Sequence, residues 1–299
     1  MEEKQMMTNE ELESQLQSLR GKATIAKILT YGCGAAMILC FITGLIPVAI
    51  VFIVLALVGG YQLKKNSSRL KKILSDNVIS SVLKEALGDA VEYNPWGKIN
   101  PGSMVFPFSY NCADGSDHIK AAYNGLNIEL GDIELIEETE YTDNETGQTE
   151  KNRVTVFKGQ WLTCDFGKEL AGEVYISERT KKTCRSLKSN VTMDNEQFNK
   201  RFCVRADDPQ EAYYLLTPHM MEYITAMADK SGGAVYMSFL RNGKMHVAVQ
   251  TGRDFFELGK THTDAETLRR KFLGELRWFT DIVDTLRVED TLYKKEANV

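Results

Sequence analysis

Histidine is scarce in this 299-residue chain: His118, His219, His246 and His262 are the four, and no two stand at i, i+3 or i, i+4. A histidine-based metal site would therefore need ligands gathered from remote segments. The six cysteines show no CxxC or other ligand spacing, so no thiolate metal site is marked either. No GxSxG, Walker-type GK[ST], HExxH or kinase signature occurs, which lowers the case for an enzyme. Gly32-Cys33-Gly34 lacks the third glycine and the preceding strand of a dinucleotide fingerprint. No catalytic residue, cofactor or metal ligand is assigned from the sequence.

The most consequential absence is of charge. From Ile28 to Leu63, thirty-six residues carry no Asp, Glu, Lys or Arg, and Thr43-Gly44-Leu45-Ile46-Pro47 interrupts the stretch near its middle. One helix of that length would run roughly 54 Å, nearly twice a hydrocarbon core of about 30 Å. Broken at Gly44 and Pro47, it gives two short arms, 28–42 and 47–63, that fit as a transmembrane hairpin contacting the lipid bilayer. Small residues at four-residue spacing, Gly32 with Ala36 and Ala56 with Gly60, are candidates for close helix packing. Arg20, Lys22 and Lys27 precede the hairpin and Lys64, Lys65, Arg69, Lys71 and Lys72 follow it, so both flanks and both termini are expected in the cytoplasm. A cleaved signal peptide fits poorly, because the apolar stretch is too long and begins too far in. An interfacial hairpin should have a polar face, and neither arm does.

Charge is segregated along the chain. The first 75 residues carry 9 basic and 5 acidic side chains, a balance of +4, and the remainder 27 and 36, or −9. The acidic remainder would be repelled by a nucleic-acid backbone, so no nucleic-acid partner is expected. Lys64, Lys65 and Arg69 are candidate contacts to anionic lipid. The cysteines are expected reduced in a cytoplasmic domain, and the triplets at Asn144 and Asn190 unmodified.

Five segments follow: an N-terminal amphipathic helix in 1–27, the hairpin at 28–63, a stalk helix in 64–93, a β-rich subdomain at 94–190 and an α+β subdomain at 191–299. Thr8 and Glu11 suggest a capping box ahead of Leu12, Leu16 and Leu19. Ser67–Leu87 reads as a helix that either lies on lipid or packs on its own domain. Strands are expected at His118–Tyr123, Leu126–Tyr141, Arg153–Phe166, Glu173–Glu178 and Phe202–Arg205, with a bulge at Gly159. Pro209 opens a helical turn, and Thr217-Pro218 caps a second helix whose methionines 220, 221 and 227 face a core. Ala234–Arg241 and Lys244–Thr251 flank Asn242-Gly243, which predicts a type I′ hairpin pairing Leu240 with Met245 and Phe239 with His246. Asp264–Val288 predicts a long amphipathic helix closing over the sheet. The fold class is α+β, with mainly antiparallel strands.

Asp114, Asp117 and His118 are the tightest acid–histidine cluster, set against a plain polar turn. Glu134, Glu137, Glu138 and Glu140 read as a solvated acidic edge, since carboxylates on a strand alternate faces. His246 reads as a half-exposed hairpin residue, and His219 and His262 as residues near helix starts.

Phe157-Lys158-Gly159, Asp165-Phe166-Gly167-Lys168, Gly172, Phe198, Phe202 and the box from Glu211 to Pro218 resemble a family of bacterial membrane proteins known only as a domain of unknown function. The resemblance runs over roughly residues 20–260 and implies two N-terminal spans and a cytoplasmic domain, with no assigned activity. The first expectation is a membrane-anchored cytoplasmic binding or scaffold protein in a bacterial inner membrane, with a protein partner. Alternatives are an enzyme acting on a membrane-associated substrate, using groups near Asp117, His118 or the Asp165-Phe166-Gly167-Lys168 turn, and an accessory subunit of a membrane assembly.

Overall fold

The computed structural model describes residues 9–43, 45–102, 109–142, 149–165, 170–180, 188–257 and 264–296. It divides into two compact units, Met1–Val82 with Leu258–Lys271 and Leu83–Glu257 with Phe272–Val299.

In the first unit α1 (Asn9–Ile42) and α2 (Ile46–Leu74) are antiparallel neighbours, and α2 continues through a π turn, Ser75–Ile79, into α3 (Ser80–Leu87). The helix expected before the hairpin and the first apolar arm are thus one element. No proline separates them, and the single Gly21 costs only about 1 kcal/mol in a helix interior. Thr8, half of the expected capping box, lies outside the described residues. Ser80 N–H donates to the Ser75 carbonyl, the i−5 bond that defines a π turn, and Ser80 Oγ donates to the same oxygen at 2.6 Å. Leu12, Leu16 and Leu19 are buried, as are Leu74, Val78 and Ile79, so the amphipathic faces pack within the protein.

Over the apolar stretch the pattern inverts. Ile28, Ile38, Leu39, Phe41, Ile42, Val51, Val54 and Leu57 are turned outward, and both helices are long and apolar enough to cross a membrane. Thr30 and Thr43 donate their hydroxyls to the Ala26 and Leu39 carbonyls four residues back, so neither leaves a bare polar group. The close approach of the helices is at Gly59, where a Cβ would meet Thr30 Oγ1 at 2.6 Å and Thr30 N at 3.2 Å. Gly32 and Gly60, expected at this contact, face open space. Spacing along one helix finds small residues but does not say which of them is turned toward the partner.

The second unit is built on an antiparallel sheet of eight strands among the described residues: β1 (Val91–Asn94), β2 (Cys112–Tyr123), β3 (Leu126–Thr142), β4 (Thr149–Asp165), β5 (Val174–Glu178), β6 (Phe202–Ala206), β7 (Ala234–Phe239) and β8 (Lys244–Gln250). Their order is β1-β2-β3-β4-β8-β7-β5-β6. Helices α4 (Glu196–Arg201), α5 (Pro209–Leu215), α6 (Pro218–Lys230) and α7 (Ala265–Glu296) complete the α+β fold. Strand β1 was not anticipated; its four residues pair with β2 from Val91 opposite Ala121 to Asn94 opposite His118.

The chain has two Asn-Gly hairpins, and they differ. Asn124 and Gly125 both take positive φ, 49° and 83°, between Tyr123 and Leu126, which makes this the two-residue type I′ turn. At Asn242-Gly243 only Gly243 does, at 73°, and Phe239 pairs with Met245. The loop is therefore the longer turn with a glycine bulge. The pairing is one residue out of the predicted register, and His246 lies opposite Ser238.

One sheet face buries Ile133, Leu135, Phe157, Trp161, Tyr236 and Ala248, with Ile99 packed against them. The alternating positions Leu130, Leu162, Val247 and Met237 fill the opposite core. Met220, Met221 and Met227 are core residues of α6, and Thr217 caps that helix by accepting from Met220 N–H at 3.2 Å. Trp278 of α7 donates its indole N–H to the Met227 carbonyl, and Phe272 and Phe279 of α7 pack on Phe256 and Phe255. Gly159 marks no bulge: the register shift falls at Leu135/Ile136, whereas a Cβ at Gly159 would collide with the Val249 carbonyl at 1.9 Å. Cys33, Cys40, Cys112, Cys164 and Cys203 are free thiols.

Candidate functional site

The densest polar cluster of the sheet unit forms where β2 breaks register with β3 between Ser116 and Ile119. The break turns Asp117 inward with φ 56°, left-handed backbone that Asp tolerates better than most residues. Asp117 and Asp132 of β3 are each 3% exposed. Tyr93 donates its hydroxyl to Asp117 Oδ1 at 2.5 Å, and Ser116 Oγ donates to Asp117 Oδ2 at 2.8 Å with Asp132 Oδ2 at 3.5 Å.

Asp132 is gripped from the other side. Phe255 N–H is shared between both of its oxygens at 2.8 Å, and Gln160 Nε2 approaches Oδ1 at 3.3 Å. Gln160 is itself fixed, donating to the Arg253 carbonyl at 2.5 Å and accepting from Thr251 Oγ1 at 2.8 Å. Next in the chain Phe256 takes φ 53°, which is costly for a bulky residue and is held by its N–H donating to Glu275 Oε2 at 3.1 Å. A Cβ at Gly115 would meet the Asp132 carbonyl at 2.3 Å, so only glycine lets β2 pass there.

Burial first, and then the Asp117 carboxylate, push the Asp132 carboxyl up to about 9. Asp132 is therefore neutral at pH 7 and stores a proton beside a second carboxyl group. Burial, reinforced by Asp117, likewise holds the Tyr93 phenol protonated far above its ordinary range. The cluster ties β1, β2, β3, β4 and the 251–256 loop together, and its donors are spent on one another.

The residues singled out from the sequence do not converge. Asp114 is exposed and pairs with Lys98 Nζ at 2.5 Å, a bond that lowers its carboxyl below the usual range. His118 Nε2 lies 2.9 Å from Glu129 Oε2. Of the three neighbours only Asp117 enters the cluster. His246 is buried rather than half-exposed: its Nδ1 accepts from Trp161 Nε1 at 3.0 Å and lies 3.1 Å from Thr163 Oγ1, and burial pushes its pKa down to about 4. Of the acidic run, Glu134 lies where β3 is paired on both sides, whereas Glu137, Glu138 and Glu140 lie beyond the last β2 pair at Ile136 and pair with β4 alone. Glu138 pairs with Lys151 and Arg153, Glu140 with Lys151, and Glu134 accepts from Thr155 Oγ1 at 2.6 Å. His262, Cys184, Asn144 and the turn residues 166–168 lie outside the described residues. Among the described residues no group of three or more His, Cys, Asp or Glu side chains is placed to hold a metal ion.

Asp132 was missed, although a signal for it exists. Ile128, Leu130 and Asp132 are alternate residues of β3, so the period-2 pattern sets a carboxylate on the core face. Tyr93, Gln160 and Phe255 are too distant in sequence to be joined to it by spacing.

No curated protein and no solved structure matches the chain. The match to a family begins in β4 and ends in α7, so it supports the resemblance read from the sequence over 155–260 and extends it to 288, while 20–154 fall outside it. Residues 155–288 match the model of the family described as "Protein of unknown function (DUF3137)".

Proposed function

We propose that the chain is a membrane-anchored binding or scaffold protein of a bacterial cell membrane. Its two apolar helices span the bilayer as a hairpin, and its sheet unit works in the cytoplasm. The supporting observation is the continuous set of outward-facing apolar side chains on α1 and α2, from Ile28 through Phe41 and Val51 to Leu57. So much exposed apolar surface far exceeds what soluble monomers carry and is matched to lipid. Basic residues flank the stretch on both sides, which supports a cytoplasmic placement of both ends.

A hairpin anchor confines the sheet unit to the membrane plane, where two weak contacts act together. The buried Asp117–Asp132 pair favours a second reading as an enzyme, since burial pushes the Asp132 carboxyl up and groups shifted in this way cluster at catalytic sites. The binding reading is preferred because both carboxyls are enclosed and bonded internally.

Reporter fusions after residue 44 and after residue 299, combined with crosslinking of the full chain in intact cells, test this reading. The C-terminal fusion should be active only as a cytoplasmic reporter and the residue-44 fusion only as an external one. A partner that survives replacement of 28–63 by an unrelated hairpin supports a binding module. A partner lost with the swap shifts the function to a membrane-assembly subunit, and reversed reporters would overturn the topology.

A further inference from the structure

Between α1 and the C-terminal half of α2, within the helical unit, lies a groove of about 430 Å³. Its polar lining is Ser14, Gln15 and Ser18 from α1 with Lys22, Arg69 and Lys72. Among the described residues none of these six side chains makes a hydrogen bond or an ion pair, so three cations and three polar groups converge unspent. Lys64 and Lys65, read from the sequence as lipid contacts, do not line it, whereas Arg69 does.

The position of the groove along the helices identifies what it faces. Lys22 precedes Ile28 by six residues and Arg69 follows Leu63 by six. At about 1.5 Å per residue, both leave the apolar stretch by roughly 9 Å. The headgroup zone extends some 5–8 Å beyond each side of the hydrocarbon, and long basic side chains reach back toward it. The acidic residues of the same helices, Glu10, Glu11, Glu13 and Asp76, lie farther out along the chain, and Glu13 accepts from Ala265 N–H at 3.3 Å.

We propose that this groove binds the phosphate of an anionic phospholipid headgroup. The proposal rests on the membrane-spanning reading of α1 and α2. Arg69 supplies a planar fork that fits two phosphate oxygens, and Lys22 and Lys72 supply point charges on either helix, their long side chains reaching back toward the headgroup.

The test uses the full chain in mild detergent with equimolar phosphatidylglycerol and phosphatidylcholine, and counts retained lipid by native mass spectrometry. The wild type should retain phosphatidylglycerol selectively. The Lys22→Ala/Arg69→Ala/Lys72→Ala variant should lose that retention by about ten-fold or more. A Lys27→Ala/Lys64→Ala/Lys65→Ala variant, with the same loss of charge outside the groove, should keep it. Alanine at exposed helical positions preserves the helix, and thermal melting checks this. Equal loss in both variants would reduce the effect to diffuse attraction and overturn the proposal, as would full retention in the first. Complete displacement by millimolar glycerol phosphate, without lipid selectivity, would reassign the groove to a soluble phosphate. Flotation with phosphatidylcholine vesicles separates the two readings: a wild type that fails to float sinks the membrane-spanning reading, whereas one that floats without lipid preference sinks only the groove.

Discussion

Phe41, Ile42, Val51 and Leu57 of the helical unit are turned outward, while Phe157, Trp161, Leu162 and Phe272 of the sheet unit are wholly enclosed. The polar groups are arranged in the opposite sense. The helical unit leaves Lys22, Arg69 and Lys72 unspent in an open groove, and the sheet unit encloses Asp117, Asp132, Gln160 and His246. The same residue types thus take different sides in the two units. In the sheet unit apolar area is hidden and most enclosed polar groups find a partner, Ser238 Oγ being an exception. If lipid surrounds the helical unit, as proposed, its apolar area costs nothing to expose and tight backbone contact holds the helices together.

The comparison breaks most visibly if a large apolar side chain is removed from each unit. Trp161→Ala empties a fully buried site and takes away the donor to His246 Nδ1, so it should destabilise the sheet unit by about 3–5 kcal/mol. Leu57→Ala, at a position 69% exposed, should change stability in detergent by less than about 0.5 kcal/mol. Thermal unfolding of both variants reads the difference. Similar losses would mean that Leu57 packs against protein.

A second test concerns the enclosed titratable groups, whose signs oppose. His246 has its folded pKa pushed down to about 4, so the stability tied to its neutral form is complete above its ordinary value near 6.5 and is lost as pH falls from there. Asp132 has its folded pKa pushed up to about 9, so the unfolded chain ionises first and stability falls as pH rises from about 4 until the folded group titrates. Between pH 4 and 6.5 the two partly cancel. From 6.5 to 9 only Asp132 of the two remains, and the wild type should lose up to about 3 kcal/mol over that range. Asp132→Asn mimics the protonated carboxyl, keeping an acceptor for Phe255 N–H, and should flatten this limb in denaturant melts taken at pH 6.5 and 8.5. An unchanged slope would remove Asp132 from the account.

These groups also mark how far the sequence could be read. The uncharged run from Ile28 to Leu63, the long β3 and β4 pattern and the amphipathic α7 each repeat one signal over many residues and each is found, although β4 begins four residues before Arg153, at Thr149, and α7 runs past Val288 to Glu296. The candidate site was legible at one residue. Asp117 stood out beside His118, but the bulge that separates them comes from pairing with β3, and Tyr93, Asp132, Gln160 and Phe255 are joined only by the fold. His246 was misplaced by a single register step, because an Asn-Gly pair serves two loop lengths and the strand pattern around it is apolar on both faces. The groove in the helical unit was hidden for the same reason: Lys22 and Arg69 are forty-seven positions apart, and only the antiparallel pairing of α1 and α2 brings their helices together.

The smallest expected effect tests what holds the helical unit together. Gly59 and Gly60 are adjacent on α2, yet only Gly59 meets α1. Gly59→Leu would drive a side chain into Thr30. Its hydroxyl can rotate away, but the Thr30 backbone nitrogen at 3.2 Å and the Ala26 carbonyl at 3.4 Å cannot, so the helices must part locally. Overpacking of this kind costs about 1–3 kcal/mol. Gly60→Leu enters open space and replaces a poor helix former by a good one, so it should be neutral or stabilising by about 1 kcal/mol. Melting of the helical signal in detergent distinguishes the two, with Gly59→Leu lower and Gly60→Leu equal to or above the wild type. If both fall alike, the contact face of α2 is not the one through Gly59, and the groove that depends on the same helix pairing loses its geometry as well.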